Sequence, residues 1–131
     1  MKAMLSIKPE YVERILSGEK TYEFRRTIFR RPGVDTLVIY ETMPVGRVVA
    51  EADIAGVLES TPEDIWERTR PHAGISEGRF MDYFRGRRVA YAIALGDVRA
   101  FGRPLTLAEY APGMGCAPQS FAYIRDAVPR V

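Results

Sequence analysis

Two stretches of this chain constrain its fold more than anything else in it. Residues 45–59, "VGRVVAEADIAGVLE", and 87–101, "RRVAYAIALGDVRAF", are long, rich in β-branched and aliphatic residues, and apolar almost without alternation. A strand of that kind needs cover on both faces, so it belongs in a sheet that curls or closes rather than in a flat open one. Gly56 marks a bend or bulge in the first of them. Three shorter extended segments accompany the pair: "KAMLSI" (2–7), "VDTLVIYE" (34–41) and "APQSFAYI" (117–124).

The period changes where helices are expected. In "KPEYVERILSG" (8–18), Pro9 suits the first helical position and Gly18 a C-terminal cap. Tyr11, Val12, Ile15 and Leu16 fall on one face. From Thr21 the period is two, with Tyr22 and Phe24 pointing one way and Thr21, Glu23 and Arg25 the other. Pro-Gly at 32–33 and Met43-Pro44 mark turns. Thr61 caps a helix opened by Pro62 and acids, and "SEGRFMDYFRG" (76–86) forms another, closed by Gly86. "PLTLAEYAPG" adds a single turn. The resulting order, β-α-β-β-β-α-α-β-turn-β, predicts an α+β fold: a small mixed β-barrel with peripheral helices, one domain over residues 1–131.

Composition excludes several classes. A chain of 131 residues can bury about two thirds of its unfolded surface, so it needs no metal or disulfide to fold. Cys116 is its only cysteine and His72 its only histidine, which rules out an intrachain disulfide, a Cys-based zinc site and a His cluster. Cys116 reads as a buried, inert small hydrophobe and His72 as an ordinary surface or packing residue. No metal site and no cofactor is expected, and no stretch matches a Walker loop or a dinucleotide fingerprint. No apolar run approaches the ~20 residues of a membrane span, and the N-terminus lacks the core of a signal peptide; a cytoplasmic protein without a membrane partner is expected. Oligomeric state is not legible.

Charge is more informative in its placement than in its total of +2. Lysine occurs only at positions 2, 8 and 20, so sixteen of the nineteen basic residues are arginine (19 − 3). "KTYEFRRTIFRR" (20–31) carries five basic groups against one acid, and "RGRR" (85–88) three against none. Arginine interleaved with aromatics suits phosphates and stacked bases, and it equally suits a soluble hairpin edge. Overlapping the first run, "GEKTYEFR" (18–25) places Gly18, Lys20, Glu23 and Arg25 at fixed spacing. Two residues apart in a strand, Glu23 and Arg25 share a face, and Lys20 can swing over it from the helix end. Such a triplet can bind a phosphate or base edge, or hold a carboxylate beside a lysine for proton transfer; it can also be a solvated hairpin face with a weak ion pair. Gln119 and Ser120, polar groups inside the apolar terminal segment, either reach such a site or satisfy backbone.

Ser6, Pro9, Ile15, Gly18, Lys20, Glu23 and Arg25 together form S-x-x-P…I-x-x-G-x-K-x-x-E-x-R. This pattern resembles the ASCH (activating-signal-cointegrator homology) family, and the closing "APQSFAYI" is similar to the end of its small stand-alone prokaryotic members. The resemblance implies a PUA-like barrel with a cleft beside the motif that takes RNA or a nucleotide or nucleoside, in translation- or transcription-linked regulation. Ser6, Lys8, Lys20, Glu23 and Arg25 would line it, with Arg26, Arg30 and Arg31 as a basic approach. Some members are hydrolases, either ribonucleases or amidohydrolases that deacetylate acetylcytidine with a lysine, a threonine and a glutamate. Lys20 matches that lysine, and Lys20 and Glu23 would be the catalytic pair of an enzyme. The threonine of the amidohydrolases falls at Glu23 here, Thr21 is out of position, and Glu51, Asp53 and Glu77 are the candidates for the acid. Binding is therefore the leading expectation, with hydrolysis the alternative.

Overall fold

The computed structural model describes residues 1–124; the expected domain of 1–131 runs past them, and residues 125–131 lie outside the description. The elements are β1 (Lys2–Ile7), α1 (Pro9–Leu16), β2 (Tyr22–Arg25), β3 (Thr36–Glu41), β4 (Arg47–Ser60), α2 (Pro62–Thr69), α3 (Glu77–Tyr83), β5 (Ala90–Leu105), α4 (Leu107–Tyr110) and β6 (Phe121–Ile124). Six strands form one mixed sheet in the order β2-β5-β4-β3-β1-β6, with β1 and β3 parallel and the other pairs antiparallel. The sheet curls into a half-barrel, as the two long apolar strands require, and this α+β architecture is the PUA-like one that the ASCH resemblance implied. Those strands are β4 and β5, of 14 and 16 residues. They stay paired from Ser60–Ala90 to Val48–Leu105 across three register shifts, one of them between Ile54 and Gly56. Each shift adds local twist and lets a long ribbon bend.

The period-two side chains divide between layers. Ala3, Leu5 and Ile7 of β1 join Leu37 and Ile39 of β3 under α1, with Val12 and Ile15 inserted from the helix. Met4 and Val38 point the other way, into a smaller cluster closed by α4 through Leu107 and Tyr110. Burial on both faces is why β1 and β3 read as continuous apolar runs. Leu16, expected on the buried face of α1, is 43% exposed; it lies in the last turn, beside a small open cavity bordered by Leu95, Gly96, Asp97 and Val98 of β5.

A third cluster builds the wall of the later site. Phe80 of α3 is fully buried and meets Phe24 at 4.9 Å, Trp66 at 5.1 Å and Phe84 at 4.9 Å between ring centroids. Truncating a buried phenylalanine of this kind costs about 3–5 kcal/mol, so Phe80 anchors α3 and the 70–76 segment beside β2. Ser76 and Thr61 cap α3 and α2 by accepting from Arg79 N and Asp64 N. β5 begins at Ala90 rather than at residue 87, because Arg87 N donates to Phe84 O in the turn around Gly86. Cys116, expected to be buried, is exposed. It sits in the irregular stretch between α4 and β6, whose backbone polar groups have no ladder partners and need water.

Candidate functional site

The strands β2 and β6 are the two edges of the sheet, and the curl brings them together at Arg25. Its Nε and Nη2 donate to Glu23 Oε2 at 3.1 and 2.7 Å, Nη2 also to Ser6 O on β1 at 2.9 Å, and Nη1 to Ser120 O just before β6 at 3.4 Å. Thr27 and Ser120 hydroxyls meet across the same seam at 3.4 Å, and Ser6 Oγ donates to Pro118 O at 2.7 Å. Arg25 is thus a clamp between sheet edges, and the Glu23–Arg25 pair foreseen from their spacing is fully engaged.

Lys20 is buried to 3% exposure. Gly18, at φ +86°, ends α1, and Lys20 N then donates to Arg14 O, turning the side chain inward. Its Nζ donates to Ala73 O at 2.8 Å and lies 3.9 Å from Glu23 Oε1. The rings of Phe24 and Tyr11 face it at 4.6 and 5.5 Å, a cation–π setting. Burial strips water from the ammonium and lowers its pKa to about 8; the Glu23 carboxylate opposes this, while Arg25 and Arg14 reinforce it. The Nζ–Oε1 distance is too long for a hydrogen bond, so a donor and an acceptor face each other across a gap wide enough to share a third polar group.

Residues outside the motif make this arrangement possible. Gly74, at φ +63°, lies against the Lys20 stem so closely that a Cβ there would come within 2.4 Å of Lys20 Cβ. Arg14 Nη1 holds the loop by donating to Gly74 O at 2.9 Å, and Thr21 N donates to His72 O. In the sequence "HAGI" is only a loop; the one signal available was a glycine in it. His72 itself is exposed and contributes its carbonyl.

Lys20, Glu23, Phe24 and Arg25 open onto a cleft of about 600 Å³, with Ser6, Lys8, Glu10 and Tyr11 on one side and Ile75, Arg79, Asp82 and Tyr83 on the other. The structure therefore brings Ser6, Lys8, Lys20, Glu23 and Arg25 to one place. Arg26 lies at the rim, its guanidinium 4.3 Å over the Tyr83 ring and its Nε donating to Tyr83 O. Arg30 and Arg31 lie elsewhere: their backbone N–H groups donate to Tyr123 Oη and Arg31 stacks on that ring at 4.9 Å. Thr21 borders a separate, smaller cavity. Of the three acids considered, Glu51 accepts from Lys2 and Tyr110, Asp53 pairs with Arg99, and Glu77 is exposed on α3; none lines the cleft, where Glu10 and Asp82 stand instead. Among the described residues no group of three or more His, Cys, Asp or Glu is gathered as a metal site, and no helix is long and apolar enough to cross a membrane.

A half-barrel of this topology, with a buried lysine and a clamped Glu-Arg pair at its seam, defines a PUA-like protein with a polar cleft. The ASCH domain pattern matches residues 5–116, and the chain belongs to that family. It is 33% identical over 132 residues to a protein of Zymomonas mobilis named an ASCH domain-containing ribonuclease, covering 95% of this chain and 84% of the relative. The crystal structure of ASCH from Zymomonas mobilis superposes with a TM-score of 0.84 at 34% identity, over 95% of this chain and 87% of the other. A serine-to-alanine variant of that protein superposes with a TM-score of 0.85 at 32% identity, over 95% and 88%.

Proposed function

We propose that this protein is an RNA-directed hydrolase whose cleft seats one nucleotide of a single strand and cleaves the strand beside it. The observation that carries the reading is Lys20, a buried amine with pKa near 8 facing a carboxylate at the floor of an open cleft. A group titrating this close to neutrality suits proton transfer. The 33% identical relative named as a ribonuclease supports RNA as the substrate.

In this reading the free amine of Lys20 takes the proton of a ribose 2′-hydroxyl. The 2′-oxygen bonds to the neighbouring phosphorus, the P–O5′ bond breaks, and the departing 5′-oxygen takes a proton back from the lysinium. Glu23 Oε1, whose partner oxygen is committed to Arg25, accepts from a base N–H. Deacetylation of acetylcytidine fits less well, because Glu23 offers no hydroxyl where that branch of the family has threonine.

The test is a labelled single-stranded RNA of mixed sequence incubated with the wild type and with Lys20→Met. Cleavage by the wild type alone, at a rate rising with pH through about 8 and leaving a 2′,3′-cyclic phosphate, is the expected result. Equal cleavage by the variant refutes the role of Lys20. Binding without cleavage selects the second reading, an RNA-binding module, which the engagement of Nζ with Ala73 O favours.

A further inference from the structure

Arg25, the arginine of the motif, has little left to offer a phosphate. Its Nε–Nη2 edge is occupied by Glu23 and Ser6, and its Nη1 leans on Ser120 O. Across the cleft, Arg79 of α3 is bound differently. Nη1 alone makes its contacts, to both carboxylate oxygens of Glu10 at 3.1 Å and to Tyr11 Oη at 3.3 Å. Its Nε and Nη2 have no hydrogen-bond partner among the described residues, and the side chain is 61% exposed where it borders the cleft.

We infer that Arg79 is the phosphate-binding residue of the cleft, its free Nε–Nη2 edge taking the 5′-phosphate of the nucleotide whose base lies at Glu23 and whose 2′-hydroxyl lies at Lys20. This inference rests on the reading of the cleft as a nucleotide site. A guanidinium edge matches two oxygens of a phosphate in parallel, which a point charge cannot do. Here it is pre-positioned: Glu10 and Tyr11 hold Nη1, so less side-chain freedom is lost on binding. Ser76 fixes the backbone beneath it by accepting from Arg79 N at 3.3 Å. Tyr11 also sets the spacing, since its ring faces Lys20 Nζ and its hydroxyl faces Arg79. The Lys20 site and the phosphate site are thus one tyrosine side chain apart, within the span of a single nucleotide. Glu10 neutralises Arg79 in charge without covering its free edge, so the contact selects for geometry. Lys8, exposed on the Glu10 side, supplies the surplus positive charge.

The experiment is fluorescence anisotropy of a fluorescein-labelled single-stranded 2′-O-methyl RNA of mixed sequence, which cannot be cleaved through its 2′-oxygen, titrated at several KCl concentrations. The proteins are the wild type, Arg79→Ala and Arg79→Lys, each checked for unchanged circular dichroism. Arg79→Ala is expected to weaken binding about tenfold and to lower the log–log salt slope by about 0.7, the value for one phosphate on a single strand. Arg79→Lys should keep the wild-type slope yet still bind several-fold more weakly, because the charge survives and the planar edge does not. Wild-type binding with an unaltered Arg79→Ala overturns this inference alone. A wild type that does not retain RNA at low salt overturns the nucleotide reading of the cleft and this inference with it.

Discussion

At the scale of single residues, Lys20 is buried and held by Ala73 O, Glu23 and Phe24, and its titration gives a direct prediction. Its folded pKa, about 8, lies below the ordinary 10.5. Between those values the unfolded chain still holds a proton that the folded chain has released, so stability rises with pH there. The wild type is expected to gain up to about 3 kcal/mol relative to Lys20→Met from pH 8 to 10.5, read by urea denaturation at each pH; parallel curves for the two proteins would exclude a depressed pKa. Gly74 is the second constrained residue. Alanine there meets both a left-handed backbone and the Lys20 stem, so Gly74→Ala should cost about 2–4 kcal/mol. A melting temperature within a degree or two of wild type would contradict the packing of this loop on Lys20. Neither property is legible in sequence order, because Gly74 and Lys20 meet only after more than fifty intervening residues have folded.

At the scale of elements, the seam between β2 and the β1–β6 edge depends on Arg25. Removing it leaves the Glu23 carboxylate buried at 7% exposure without its strongest partner. Breaking a buried pair from one side costs about 3–5 kcal/mol, the loss expected for Arg25→Ala in urea denaturation. Arg25→Ala combined with Glu23→Gln should recover a good part of it, since the orphaned charge is gone; a double variant no more stable than the single one would argue against the clamp. Much at this scale was readable. Pro9 and Gly18 bracket α1, Thr61 and Pro62 start α2, and Ile54–Gly56 holds a register shift, because caps, turns and bulges are set by neighbours in the chain. The pairing of Glu23 with Arg25 was readable for the same reason. Strand ends were read less well, since β5 starts where the Gly86 turn lets it and stops where β4 ceases to pair.

At the scale of the whole molecule, protection should follow the sheet. The central strands β1, β3 and β4 bury Ala3, Met4, Leu5, Leu37, Val38, Ile39, Ala50 and Ala52 at 0–1% exposure, while β6 is a four-residue edge of half-buried positions. Hydrogen exchange followed by mass spectrometry is expected to show the slowest amides in β1 and β3 and much faster ones in residues 112–124. Uniform protection across these segments would contradict that hierarchy.

By itself the sequence determined that two long apolar strands must curl, where the helices begin, and that Lys20, Glu23 and Arg25 would share a face, because period, capping and charge spacing act over a few residues. Only the tertiary structure decided what those charges do. Whether an arginine faces a ligand or a backbone carbonyl depends on which strand edge the curl brings against it. That contact turned Arg25 into a clamp, sank Lys20 beneath Gly74, and left the open guanidinium edge to Arg79, a residue that no local pattern singles out.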